Sequence, residues 1–238
     1  MSTAEETVKS ITYQFKLASG VEKEFTVRLR SPSMSLESVP REHYPEWTRL
    51  EFHQCPNCPL NAAQNPRCPV AVNLMDIMEF FKDCFSTDIA EITIVSEKRE
   101  YRKKTPLPQG LSSLMGLTMT TSGCPILDKL RPMVYTHLPF AMLEETMYRA
   151  ISMYLVAQFL LQKRGKTPDW DLQKLMGIYD EVKKVNRHFS ERLRSINRQD
   201  AGINALIILD CLGDFTKLSI KKTYIKELET LFAPYLKD

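Results

Sequence analysis

Four cysteines in this chain, Cys55, Cys58, Cys68 and Cys124, are each followed directly by proline. Three lie in one stretch, FHQCPNCPLNAAQNPRCP (residues 52–69), and the fourth in TSGCPIL. Proline has no N–H and a φ close to the helical value, so it is favoured at the first helical position. The residue before it then sits at the N-cap, where its side chain faces backbone N–H groups that no helical carbonyl accepts. For Cys68 these groups belong to Val70 and Ala71, for Cys124 to Ile126 and Leu127, and for Cys55 to Asn57 and Cys58. A helix N-terminus favours the thiolate, and N–H···S bonds support a metal-bound sulfur. Each of the four positions is therefore expected to hold a thiolate, the form that zinc and iron–sulfur clusters both require.

The spacing is C-x2-C-x9-C-x55-C. The CPNC pair is a metal knuckle, but no second pair follows at the short spacing of the common zinc modules. Zinc is the first reading of the four thiols. An iron–sulfur cluster is the alternative, since proline often follows a ligand cysteine in cluster-binding proteins. The third reading has no metal: cysteine packs as a small buried hydrophobe and proline only starts helices. His53, two residues before Cys55, is a candidate substitute for one sulfur. Cys84 and Cys211 fall in apolar helical runs without proline and are assigned to the core.

The elements that must position these thiols follow from periodicity. Residues 11–17 and 21–29 alternate apolar and polar around Ala18-Ser19-Gly20, a hairpin signal. Residues 30–47 read as an extended loop. Residues 70–85 repeat Val70, Leu74, Ile77, Met78, Phe81 and Phe85 at helical spacing. Residues 89–95 and 99–104 form a second hairpin. Beyond Pro106 the strand signal stops. Helices are expected over 109–120, in a short segment after Pro125, and over 142–163, the last placed centrally because its second half is nearly apolar all round. Thr167-Pro168 reads as the start of the next helix, which carries the cleanest period, from Leu172 and Leu175 to Leu193 and Ile196. Residues 203–212 form a buried helix with Gly213 as its C-cap, and 224–235 a last amphipathic one. The expected class is α+β, with N-terminal β-hairpins followed by a C-terminal helical bundle. Residues 1–238 are expected to form a single domain, with a β-rich half over about 9–105 and a helical half over about 106–238. One ion on all four thiols would tie the halves together, because Cys124 comes from the second and the other three from the first.

Composition narrows the setting. The chain has 238 residues, 43% hydrophobic and 26% charged, with 32 Lys and Arg against 29 Asp and Glu. A chain of this length buries a core without metal or disulfide, so a metal site would organise locally or function. A net charge of +3 implies neither nucleic acid nor membrane as a partner. The N-terminus, MSTAEETVKS, has no basic and apolar leader pattern, and the longest nearly uncharged run, residues 150–162, is too short to span a bilayer. A cytoplasmic protein is expected, in which six cysteines are thiols or ligands before disulfides.

Other residues offer weaker chemistry. His137 lies before the helix that Glu144 and Glu145 open, and a His–carboxylate site in a cleft between the halves is an alternative, enzymatic reading. Acidic residues also belong in a first helical turn, and Glu145–Arg149 is an i,i+4 pair. Lys98, Arg99, Arg102, Lys103 and Lys104 surround Tyr101 on the second hairpin, but Glu97 and Glu100 dilute the patch, and charge on an edge strand deters aggregation. A protein partner is expected before a nucleic acid. Six methionines along the middle helices read as core filling. No Walker A, GxGxxG, GxSxG, HExxH or EF-hand pattern occurs.

The phrases PEWTRLEFHQCPNCPL, CPVAVNL, GLSSLMGLTMTTSGCP, HLPFA and EETMYRAISMYL together resemble an uncharacterised bacterial family, a domain of unknown function, over roughly residues 8–212. The resemblance implies a bacterial cytoplasmic origin and carries no activity, ligand or catalytic residue. All four Cys-Pro pairs fall inside the matching phrases. The reading is an intracellular metal-binding protein with zinc on Cys55, Cys58, Cys68 and Cys124, structural and supporting a regulatory or interaction role. The alternatives are an iron–sulfur redox or sensor protein on the same thiols, and an enzyme using His137 and Glu145.

Overall fold

The computed structural model describes residues 6–219 and 223–237, with the side chains of 215–219 and 223–225 left out of the description. Its sheet has five antiparallel strands: β1 (Thr7–Leu17), β2 (Glu22–Ser31), β3 (Ser35–Leu36), β4 (Ile89–Ser96) and β5 (Glu100–Pro106), in the order β3-β2-β1-β4-β5. Both expected hairpins are present. Gly20, at φ 86°, makes the first turn, where Leu17 N–H donates to the Val21 carbonyl at 2.9 Å. The strand period of two sends Ile11, Tyr13 and Phe15 of β1 to one face. Their partners in register include Val27 on β2 and Ile94 and Ile92 on β4, all buried. The basic β5 is an edge strand.

That apolar face is covered by α1 (Pro69–Phe81) and α2 (Leu107–Thr121). Val70, Leu74, Ile77, Met78 and Phe81 of α1 are buried as their spacing predicts, and the Phe81 ring meets Phe15 edge-on at 5.0 Å, but the helix stops at Phe81 and Phe85, expected on the same stripe, is exposed beyond it. The second helical layer follows: a 3-10 segment Leu127–Thr136, then α3 (Leu143–Lys163), α4 (Gln173–Arg194), α5 (Ala201–Ser219), α6 (Thr223–Leu231) and α7 (Ala233–Leu236). The architecture is α+β. No helix among the described residues is long and apolar enough to cross a membrane.

Four expectations are corrected. The central helix is α2, not α3: α2 packs against α1, α5, the sheet and the 3-10 segment, whereas Val156, Phe159 and Leu160 of α3 stay exposed at 58%, 49% and 54%. Thr167-Pro168 does not start α4. The helix begins at Gln173 after Leu172 in the left-handed region, φ 60°. Its cap is Asp169, whose carboxylate accepts the Gln173 and Lys174 N–H groups at 3.3 and 2.8 Å and the Tyr154 hydroxyl at 2.7 Å. Gly213 is not a C-cap but an interior residue of α5, where it makes room for the Tyr179 ring. The last helix divides, with Pro234 opening the short α7, and the side chains of Tyr224 and Ile225 lie outside the described residues.

Gly110 sets how closely α2 lies on the sheet. A Cβ there would collide with Ile92 Cδ1 and lie 3.1 Å from its Cγ2, and Ile92 is fully buried. Alanine is intrinsically better in a helix by about 1 kcal/mol, yet overpacking costs about 1–3 kcal/mol. The collision should win. Gly110→Ala is expected to lower stability by about 1–2 kcal/mol in denaturant unfolding, and to become neutral or stabilising in an Ile92→Val background that lacks Cδ1. A stabilising single substitution would contradict this packing.

Candidate metal centre

The thiol site is built on a loop pinched at its neck. Arg49 and Arg67 form an antiparallel bridge, Leu50 N–H donates to the Pro66 carbonyl at 3.0 Å, and Cys68 N–H donates to the Thr48 carbonyl at 2.8 Å. Thr48 is fully buried at the neck, where its hydroxyl donates to the Pro45 carbonyl and accepts Arg67 Nη1. The loop therefore leaves and returns at one point, with Cys55 and Cys58 inside it and Cys68 at its exit. Within it, Cys58 N–H closes a turn on the Cys55 carbonyl at 3.0 Å, and Asn57 Nδ2 reaches α4 through the Glu181 carbonyl and carboxylate at 3.0 and 2.8 Å.

Arg192 of α4 locks this neck from below. Its side chain is 2% exposed. Nη1 donates to the carbonyls of Trp47 and Arg49, the latter at 2.7 Å, and Nη2 to that of Leu50 at 3.3 Å. The guanidinium also lies over the Phe52 ring. Among the described residues no carboxylate pairs with it. The titratable groups beside it are the thiols of Cys68, Cys55 and Cys58.

Cys124 arrives from the helical layer. Gly123, at φ 91°, turns the chain out of α2, and Asp128 N–H then donates to the Cys124 carbonyl at 2.9 Å. The N–H groups of Leu127 and Ile126 favour the Cys124 thiolate, although the 3-10 segment begins at Leu127 with Ile126 as its N-cap and Pro125 is not its first residue. All four Cys-Pro thiols line one small cavity of about 20 Å³, closed by aliphatic side chains such as Leu50, Val70, Ile126 and Val185, by Phe189 and by Arg192. A cavity this size takes one water-sized body. No group of three or more His, Cys, Asp or Glu among the described residues stands in an arrangement that would hold a metal ion as placed. The thiols share a cavity without being closed into a ligand shell.

The expected acidity is corrected at Cys55 and Cys124. Burial, followed by the neighbouring Cys68, Cys124 and Cys58, pushes the Cys55 thiol up to about 12, against the opposing pull of Arg192. Burial also raises Cys124, although the Leu127 and Ile126 N–H groups pull it back. The local reason differs at each proline. Cys68 is the N-cap of α1 in extended geometry, but its side chain makes no cap bond. Near Cys55, the Cys58 N–H is spent on a carbonyl. Only at Cys124 do the N–H groups named from the sequence act on the sulfur. Raised by burial, the Cys55 and Cys124 thiols keep their protons until a cation displaces them.

The remaining candidates are dispersed. His53 is exposed, at φ 47°, and stacks edge-on against Phe52 rather than lining the cavity. Cys211 is exposed, not core, and Cys84 is half-buried past the end of α1. His137 lines a second, larger cavity of about 480 Å³, but Glu145 does not: its carboxylate accepts the Met142 N–H at 2.7 Å and caps α3. Burial, with Arg149 nearby, lowers His137 to about 3, and the fully buried Tyr13 hydroxyl lies 2.6 Å from its Nε2. Burial keeps Tyr13 protonated well above the usual phenol range, so it donates and the imidazole accepts. Sequence reasoning missed Arg192 altogether, since on a helix with many basic residues nothing marks one as buried.

Arg192→Met keeps the length of the side chain and removes its three bonds to the neck. Hydrogen bonds from a charged donor contribute about 1.5–3 kcal/mol each, with partial overlap. The variant should lose at least about 3 kcal/mol in denaturant unfolding and expose Cys55 and Cys58 to a thiol reagent faster than the wild type. A loss below about 1 kcal/mol, or unchanged thiol labelling, would show that Arg192 does not hold the loop.

No curated protein and no solved structure matches the chain. Residues 11–233 match a family model described as Domain of unknown function (DUF6901), and the chain, with all four Cys-Pro pairs inside the matched region, belongs to that family.

Proposed function

We propose that this is a metal-binding protein in which Cys55, Cys58, Cys68 and Cys124 hold one zinc ion. The observation that carries the reading is convergence: thiols from two stretches far apart in the chain line one small cavity. The donor set fits zinc, which is bound by four thiolates in closed structural sites. A single ion is the simpler reading of a cavity with four sulfurs in its wall, and an iron–sulfur cluster on the same thiols is the alternative. Arg192 fits as well, since four thiolates around a divalent cation carry net negative charge and the guanidinium lies beside three of them.

The role is structural. Four sulfur ligands leave no open position for a substrate, and aliphatic side chains line much of the rest of the cavity. The ion clasps the pinched loop to the start of α1 and to the turn after α2. Bound there, zinc would replace four thiol protons and convert a loop held at its neck into one held at both ends. The exposed apolar residues of α3 give such a scaffold a face for an interaction role.

Elemental analysis and an absorption spectrum on anaerobically purified protein test the proposal. The wild type should be colourless with about one zinc per chain. Cys124→Ser and Cys55→Ser should each lose most of that zinc and melt at a lower temperature, while Cys211→Ser keeps both. A brown protein absorbing near 400 nm would replace zinc with a cluster. A metal-free, normally folded wild type, or Cys124→Ser with full zinc, would overturn the shared site.

A further inference from the structure

The larger cavity, about 480 Å³, lies on the far side of the 3-10 segment from the thiols, between that segment, α2, α3, α4 and α5. Its volume falls within the range of small-molecule sites. Apolar side chains dominate the walls, among them Leu117, Leu130, Met133 and Val182. Two cations, Lys103 and Arg149, line it, and among the described residues no Asp or Glu does. Lys103 is accounted for at the rim: Nζ donates to Gln109 Oε1 at 3.2 Å and lies over the Phe140 ring.

Arg149 is not accounted for in the same way. One guanidinium nitrogen, Nη2, donates to the Met133 carbonyl at 2.8 Å. Nε is buried with no hydrogen-bond partner among the described residues. Glu145, its i,i+4 neighbour, has turned to the Met142 N–H instead. A buried N–H of a cation left without an acceptor costs about 1–3 kcal/mol or more, and arginine presents its donors as a fork matched to a carboxylate. An apolar chamber with a fixed cation, an unused donor and no acid in its walls matches a ligand with an apolar body and one anionic head.

We propose that this cavity binds an apolar monocarboxylate, with the carboxylate on Arg149 and the hydrocarbon body among the side chains of α2, α4 and the 3-10 segment. The site is separate from the thiols and does not depend on what they hold. Polar side chains at its edge, Gln109, Ser113, Asn186 and Thr146, orient the head group or bridge it through water.

Decanoate, used below its micelle concentration, is the probe, with decan-1-ol as its uncharged counterpart. Calorimetric titration of the purified full chain should show saturable one-to-one binding of decanoate. Decanol should bind at least tenfold more weakly. Arg149→Met, which keeps the stem and removes the charge, should weaken decanoate at least tenfold and leave decanol unchanged. Thr146→Trp, which fills the cavity beside the head-group position, one turn from Arg149, should abolish both and keeps the test usable if Arg149→Met does not fold. Lys16→Met, an exposed cation on the sheet, should change nothing. No saturable binding of decanoate up to about 1 mM, equal binding of acid and alcohol, or full decanoate affinity in Thr146→Trp would each overturn the proposal.

Discussion

A buried guanidinium that meets no carboxylate among the described residues governs the thiol-bearing half of this structure. Removing a cation from water is costly unless its donors are all satisfied. Arg192 solves part of that problem with backbone, giving its donors to the carbonyls of Trp47, Arg49 and Leu50. Those carbonyls belong to the neck of a loop that has little regular structure of its own. The loop therefore takes its position from α4, and α4 takes its position from the apolar stripe of Leu175, Val182, Val185, Phe189 and Leu193. The rest of the charge is left facing the sulfurs of Cys55, Cys58 and Cys68. In the proposed site, four thiolates on a divalent ion complete what the carbonyls begin.

Two elements serve both cavities. The turn into the 3-10 segment places Ile126 on the thiol cavity and Leu127 on the larger one, and α4 places Val185 and Phe189 on the first and Val182 and Asn186 on the second. Neighbouring residues on one helix face differ by about a turn, so the two chambers lie back to back across a single layer of side chains. Met133, in the same 3-10 segment, also gives its carbonyl to Arg149. The segment is thus held at one end by the Cys124 turn and at the other by the cation of the larger cavity.

Much of this was legible in the sequence, where the signal was local. The hairpin at Gly20, the stripe of α1 and the period of α4 are set by alternation and spacing within a few residues, and the structure has them. The convergence of Cys124 with the other three was also legible, because a shared Cys-Pro grammar survives a gap of many residues. What failed depended on neighbours distant in sequence. Thr167-Pro168 offers good starting chemistry, but Asp169 is already engaged by Tyr154 of α3 and holds the start back to Gln173. Gly213 looks like a terminus until Tyr179 is seen to need the space. The apolar second half of α3 implied a central helix, yet α2, with glycines at its sheet and α5 contacts, packs closer and takes that place. The acidity of Cys55 and Cys124 departs from expectation for a related reason: proline positions N–H groups, but burial and the neighbouring sulfurs outweigh them.

The central claim is that four cysteines from both halves of the chain share one ion. Zinc K-edge X-ray absorption on the purified protein reads that shell directly. The account predicts four sulfur neighbours at about 2.3 Å and no nitrogen or oxygen in the first shell. Zinc with two or more nitrogen or oxygen neighbours, or protein that carries no zinc to measure, would contradict it.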